Sequence, residues 1–192
     1  NQGILSLMTP NVIPTFANLN AVTGSVVTIR PGASVLLNGN NQEFGNLSGT
    51  SVVNAVQNTG GVLDLGIATL VVGRDGSNQT FSGQIIGGVG SKITKIGRGR
   101  LTLDNWDTAM PNSLAVLDVA QGFVESWAND QSLATPTGFA SAIPSTTTVY
   151  LRGGEWEVRA IGDNTGDAQR INIGNNIIHG GGGSYLDVNR PA

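Results

Sequence analysis

Residues 90–105 read GSKITKIGRGRLTLDN, and the order of their charges, glycines and leucines decides how the chain folds. Side chains along a strand alternate between its two faces, so Leu101 and Leu103 share one face while Thr102 and Asp104 share the other. Gly97 and Gly99 flank Arg98 just before that strand. The spacing suits a tight corner beside a neighbouring stretch of backbone, because glycine reaches positive φ at little steric cost and leaves free the space of a Cβ. Ile93 and Ile96 have opposite parity, so burial of both requires a bend or bulge near Lys95. Lys92, Lys95, Arg98 and Arg100 are four of the chain's ten lysines and arginines, and Arg98 and Arg100 are expected to project into solvent.

Outward from this window the same rhythm recurs. Short β-branched or aliphatic runs, each closed by Gly, Asn or Asp, read as strands at 26–29, 34–37, 62–65, 69–72, 92–96, 100–103, 114–119, 147–151, 155–158, 171–173 and 185–188. Helical periodicity is nearly absent. The spacing fits two all-β architectures: a right-handed parallel β-helix (a β-solenoid) and an antiparallel β-sandwich. No Asn-Gly or Asp-Gly turn cleanly joins two adjacent strands of equal length, and the nearest candidate, Asp75-Gly76, sits in the polar run GRDGSNQ. That favours the solenoid. Two regions break the rhythm: residues 104–113 read as a loop, and residues 126–146, with two prolines, as a long excursion with Ser126 placed to cap a short helix.

The composition agrees with many short strands in one domain spanning residues 1–192. Charged residues make up 12% of the chain, about half the usual fraction of roughly 25%, and glycine is abundant, at 28 residues. A net charge of −3 argues against general nucleic-acid binding. The absence of cysteine removes disulfides and thiolate metal sites, and it fits many exported bacterial proteins as well as a cytoplasmic one. No run approaches the roughly 20 apolar residues of a membrane-spanning helix, so membrane insertion by this segment is not expected. The first residues, NQGILSLMTP, lack the basic stretch and apolar run of a signal peptide, and the chain reads as a processed product or a segment of something longer.

GSKITKIGRGRLTLDN resembles the core of the autotransporter-associated β-strand repeat, which runs apolar-Thr-Lys-x-Gly-x-Gly-x-Leu-x-Leu; here Ile93, Thr94, Lys95, Gly97, Gly99, Leu101 and Leu103 fill those places. Residues 32–49 and 69–88 are similar to the stretches that precede that core, and residues 147–158 and 177–188 to the coils that follow it. The resemblance spans roughly residues 22 to 188. It implies a right-handed parallel β-helix in the secreted part of a large bacterial surface protein, extracellular and stalk-like, rather than a defined activity. After Leu103 the family continues with an Asn-x-Tyr/Phe-x-Gly turn, whereas this chain has NWDTAMPNS, with Trp106 and Met110 in the turn region. Neither NQGILSLMTP nor LDVNRPA looks like a capping helix, so the expected partners are flanking coils of the same polypeptide or a second copy end to end, with surface glycans as a further one. At 20 to 25 residues per coil the chain would hold roughly eight or nine turns, about 40 Å long.

The candidate sites divide between structural and chemical readings. Gly97, Gly99, Gly153 and Gly154 read as corner glycines. Lys92, Lys95, Arg98 and Arg100 read first as a solvated face and second as a contact for an anionic surface. Glu155, Glu157 and Arg159 alternate onto one strand face with Trp156 and Val158 opposite. Together with Arg152, Asp163, Asp167 and Arg170 they form the chain's richest carboxylate window, the place where a carbohydrate-active β-helix enzyme (a polysaccharide lyase or hydrolase) would keep its acid and base. A row of charges on alternate residues also describes any solvated strand face, and no catalytic, cofactor or metal role is assigned. His179 is the only histidine, which makes it a weak ligand or general base. HGGGGS at 179–184 lacks the frame of a phosphate-binding loop and reads as a corner. Asp163 and Asp167 read as a polar turn. Trp106, Trp127 and Trp156 read as core or flap packing before an adhesive surface. Asn46 and Asn78 head glycosylation sequons.

Overall fold

A computed structural model describes residues 3–13, 25–49, 60–105, 110–129, 141–161, 175–181 and 183–189. Three of its sheets take one strand each from successive stretches of chain. The first contains β1 (Ile4–Ser6), β3 (Ser34–Leu36), β6 (Val62–Gly66) and β9 (Gln84–Gly87), in that order. The second orders β4 (Gln42–Phe44), β7 (Thr69–Val72), β10 (Lys92–Lys95), β12 (Val116–Val119), β14 (Thr148–Leu151) and β16 (Asn176–His179). The third orders β8 (Gln79–Phe81), β11 (Arg100–Leu103), β13 (Gly122–Asn129), β15 (Gly154–Ile161) and β17 (Tyr185–Asn189). A further pair, β2 (Val26–Thr28) with β5 (Asn46–Ser48), adjoins the third sheet through a parallel bridge between Gly49 and Phe81. Thus β6, β7 and β8 give one strand to each of the three sheets, and β9, β10 and β11 do the same one level on.

Every pairing among the named strands is parallel, which removes the antiparallel sandwich. The chain reaches its parallel partner by leaving the sheet and returning, because a tight turn can join only antiparallel neighbours. The Asn38-Gly39 step makes this concrete. Both residues have positive φ (52° and 75°), and the Asn40 N–H donates to the Leu37 carbonyl at 2.8 Å. The turn nevertheless carries the chain from the first sheet to the second, not into a hairpin.

Register places like residues on like, and the core follows from it. Leu70, Ile93, Leu117 and Val149 form one continuous row on the second sheet, all fully buried. Leu101, Val124 and Trp156 do the same on the third, and Val35, Leu63 and Ile85 on the first. Burying each such side chain contributes about 1.5–3 kcal/mol. Any slip of one residue would turn the whole row to solvent.

At the corner after β10, Gly97 has φ 71°, and a Cβ there would lie 2.1 Å from the Gly73 carbonyl oxygen. Gly122 repeats the arrangement one level on, where a Cβ would lie 2.2 Å from the Gly97 carbonyl oxygen. Gly99 and Gly154 lie in similarly close quarters against Ser77 and Val119, and Gly153 has φ 126°.

Two expectations need correction. β13 runs through Ser126, so no helix starts there; Ser126 is buried and its Oγ accepts the Trp156 indole N–H at 2.9 Å. Ser141 bridges Ala128, and Ala142 and Ile143 are buried. Among the described residues the second sheet holds six strands, and the third sheet with β2 and β5 makes a run of seven. No bend forms at Lys95: the alternation of β10 continues, and Lys95 itself takes the interior place next to Ile93, leaving Ile96 half-buried. The strand read at 171–173 lies outside the described residues.

Candidate functional site

The outer faces of the second and third sheets carry the chemistry. On the second, Asp118 of β12 points outward between Thr94 and Tyr150 in its row, yet it is fully buried. Two cations cover it. Lys92, from the level before, places its Nζ 2.9 Å from Asp118 Oδ2. Arg152, from the level after, donates through Nε to Oδ1 at 2.9 Å and through Nη2 to Oδ2. Burial alone would raise the Asp118 carboxyl, but hydrogen bonds from Arg152 and Lys92, and then their charges, outweigh it and hold the group below the usual carboxylate range.

The third sheet repeats this arrangement. Glu125 of β13 is buried and receives Arg100 Nη1, from the level before, at 2.7 Å and Arg159 Nη1, from the level after, at 3.5 Å. Its other oxygen accepts the Trp127 indole N–H at 2.9 Å. Arg100 stacks over the Phe123 ring, 4.3 Å from its centroid, and Arg159 over Trp127 at 5.2 Å. Glu157, directly beside Glu125 in the ladder, lies 3.6 Å from Arg159 Nε. Asp104 adjoins this group. Burial pushes its carboxyl up against a lowering hydrogen bond from Ser82, and the Glu125 charge adds to the rise.

The four cations of the opening stretch therefore have separate fates. Lys92 and Arg100 each hold a carboxylate of the next level, and Arg98 is exposed. Lys95 departs furthest from a solvated reading. It is fully buried, its Nζ donates to the Ile96 and Gly97 carbonyls at 2.6 and 2.9 Å, and burial lowers its pKa to about 8 despite the charge of Asp75. It ties down the glycine corner from inside.

The carboxylate window is split. Glu155 is half-buried beside Phe123 in its row, and Glu157 belongs to the Glu125 group. Asp163, Asp167, Arg170 and Trp106 lie outside the described residues. Trp156 is wholly interior, and Trp127 lies on the outer face of the third sheet. The ring nitrogens of His179 face the Ser184 carbonyl at 3.2 Å and the Gly181 N–H at 3.3 Å, closing their own turn. Among the described residues no group of metal-ligating side chains forms. Asn46 is fully buried and donates to Asp75 and to the Ser77 carbonyl, both at 2.9 Å, so its sequon is enclosed by the fold, while Asn78 is exposed.

Asp118 and Glu125 organise both clusters, and neither stands out in sequence. Each is an acidic residue at an outward strand position, as common as any. What singles them out is the cation one level away on either side, which only the register reveals. Comparison of the chain with protein-family models, with curated proteins and with solved structures finds no match.

Proposed function

We propose that the chain is a β-solenoid segment, a right-handed parallel β-helix, of an extracellular bacterial surface protein or fibre, and that its work is mechanical and adhesive. One observation carries the reading: on two sheets a buried carboxylate is gripped by a cation from the level before and a cation from the level after. Asp118 and Glu125 thereby tie three consecutive levels together along the direction in which a stalk would be pulled. The resemblance of residues 93–103 to the autotransporter-associated repeat supports the surface assignment. The exposed side of Arg98 and the outer sheet faces are what such a module would offer to surface glycans.

A polysaccharide-cleaving enzyme is the second reading, favoured by Asp104 and Glu125. Burial raises the Asp104 carboxyl, as a general acid requires, and the Glu125 carboxylate lies close enough for its charge to add to that rise. Against it, Glu125 is almost fully covered and both of its oxygens are engaged. Two measurements separate the readings. Stretching single molecules from the two ends of the stack should give stepwise unfolding at a force that Asp118→Asn with Glu125→Gln lowers; smooth extension without steps would sink the mechanical reading. Release of sugar from neutral or acidic polysaccharides, abolished by Glu157→Ala or Asp104→Asn, would establish the enzyme instead.

A further inference from the structure

Along one edge of the stack the ion pairs bury their carboxylates and expose their cations. The edge is the corner between the second and third sheets, where β7, β10, β12 and β14 end on successive levels. The Asp118 side chain is 1% exposed, whereas that of Arg152 is 51% exposed. Glu125 stands at 4% and Arg100 at 43%. Lys92 is likewise more exposed than Asp118, and Arg74 more exposed than its partner Glu43. Solvent therefore meets mainly the positive half of each pair. A chain of net charge −3 thus shows a cationic ridge along one corner.

These corners lie backbone on backbone. A Cβ on Gly97 would sit 3.7 Å from the Arg74 Cα, and one on Gly122 would sit 3.0 Å from the Arg98 carbonyl carbon. Successive corners each present one exposed side chain with N–H donors: Arg74, Arg98, Gln121 and Arg152. Arg98 makes no ion pair among the described residues. Asp75, beside Arg74, is engaged in its own turn, where it accepts from Ser77 and from Asn46. Arg152 donates to Asp118 through Nε and Nη2, which leaves Nη1 to solvent. Arg100 gives Nη1 to Glu125 and is held flat over the Phe123 ring.

We propose that this ridge binds an acidic polysaccharide, a linear chain bearing carboxylate or sulfate groups, laid along the axis of the stack. A linear polyanion fits because the donors come one per level, about 4.8 Å apart. Arg98 and Arg152, two levels apart, are separated by about 10 Å along that axis, so a lone small anion would meet only one of them. Guanidinium groups suit such a ligand, since their forked N–H groups meet two oxygens of a carboxylate or sulfate at once. The buried carboxylates fix Arg100 and Arg152 before the ligand arrives, so less side-chain freedom is lost on binding. The inference deepens the adhesive reading of the module and rests on it.

Titration of the whole chain with polygalacturonate and with chondroitin sulfate, followed by calorimetry, tests the ridge. Both should bind, more weakly as salt rises, and neutral dextran should not. Arg98→Gln breaks no ion pair of the fold and should weaken binding by about two- to fivefold, the scale of one exposed charge pair. Arg98→Glu combined with Arg74→Gln should weaken it by about tenfold or more. Arg30→Gln removes an exposed arginine from a different corner, between β2 and β3, and should leave binding unchanged. No binding, no loss in the Arg98 variants, or an equal loss with Arg30→Gln overturns the proposal. So does tighter binding to vesicles of anionic lipid or to single-stranded DNA, which would assign the ridge to a membrane or a nucleic acid. Stepwise unfolding under force without polysaccharide binding refutes only the ridge, whereas shortened sugar chains after incubation refute the adhesive reading beneath it.

Discussion

Lys95 is the residue whose chemistry the fold changes most. An ammonium held among apolar side chains is disfavoured relative to water, and two backbone carbonyls compensate only in part, which is why its pKa falls to about 8. The unfolded chain keeps the ordinary value near 10.5. Between about pH 8 and 10.5 the unfolded state binds the extra proton, so stability from this group rises with pH across that window. Denaturant titrations of the protein and of Lys95→Met at several pH values should show this rise in the first and not the second. Gly97 is decided by sterics. Gly97→Ala places a Cβ at positive φ against the Gly73 carbonyl and should destabilise by about 1–3 kcal/mol in thermal or chemical unfolding.

At the scale of elements, strands β10, β12 and β14 are joined by more than their ladder. Asp118 of β12 takes hydrogen bonds from Lys92 of β10 and from Arg152, which follows β14. Asp118→Asn leaves two cations facing a neutral amide and should cost about 2 kcal/mol, since hydrogen bonds to charged groups contribute roughly 1.5–3. The native carboxyl lies below its unfolded value, so the stabilisation is fully present above the unfolded pKa and is lost as pH falls through the native one. Acid unfolding followed by circular dichroism should come at higher pH for Lys92→Met and Arg152→Met than for the unaltered protein. β10 and β11 were legible in GSKITKIGRGRLTLDN because parity and glycine placement are local properties. β13 was not: its residues Gly122–Asn129 include Ser126 and Asn129, poor strand formers, and the segment is held by pairing with β15 along its whole length rather than by propensity. The short strands β4, β5 and β8 were missed for the same reason, since Gln, Glu, Asn and Ser become strand residues there by pairing with β7, β2 and β11 rather than by propensity.

Across the whole molecule, stability should vary along the stack. Central strands are paired on both edges and their inward side chains are buried, while β1, β16 and β17 are paired on one edge and expose Ile4, Ile178 and Tyr185. Native-state hydrogen exchange should open β16 and β17 first and β12 and β13 last, with protection rising inward from each end. Uniform protection would mean a single cooperative unit instead. The sequence by itself determined what is local: an all-β chain, strands at alternating apolar positions, and glycine corners where Gly97 and Gly99 stand, because side-chain parity and backbone sterics act within a few residues. Only the tertiary structure decided which strands became neighbours. That choice made every pairing among the named strands parallel, placed Lys92 and Arg152 on one carboxylate and Arg100 and Arg159 on another, and turned Lys95 inward. The physical reason is that an ion pair between paired strands joins residues 25 to 34 positions apart in the chain, and that separation is set by connecting segments whose residues do not record it.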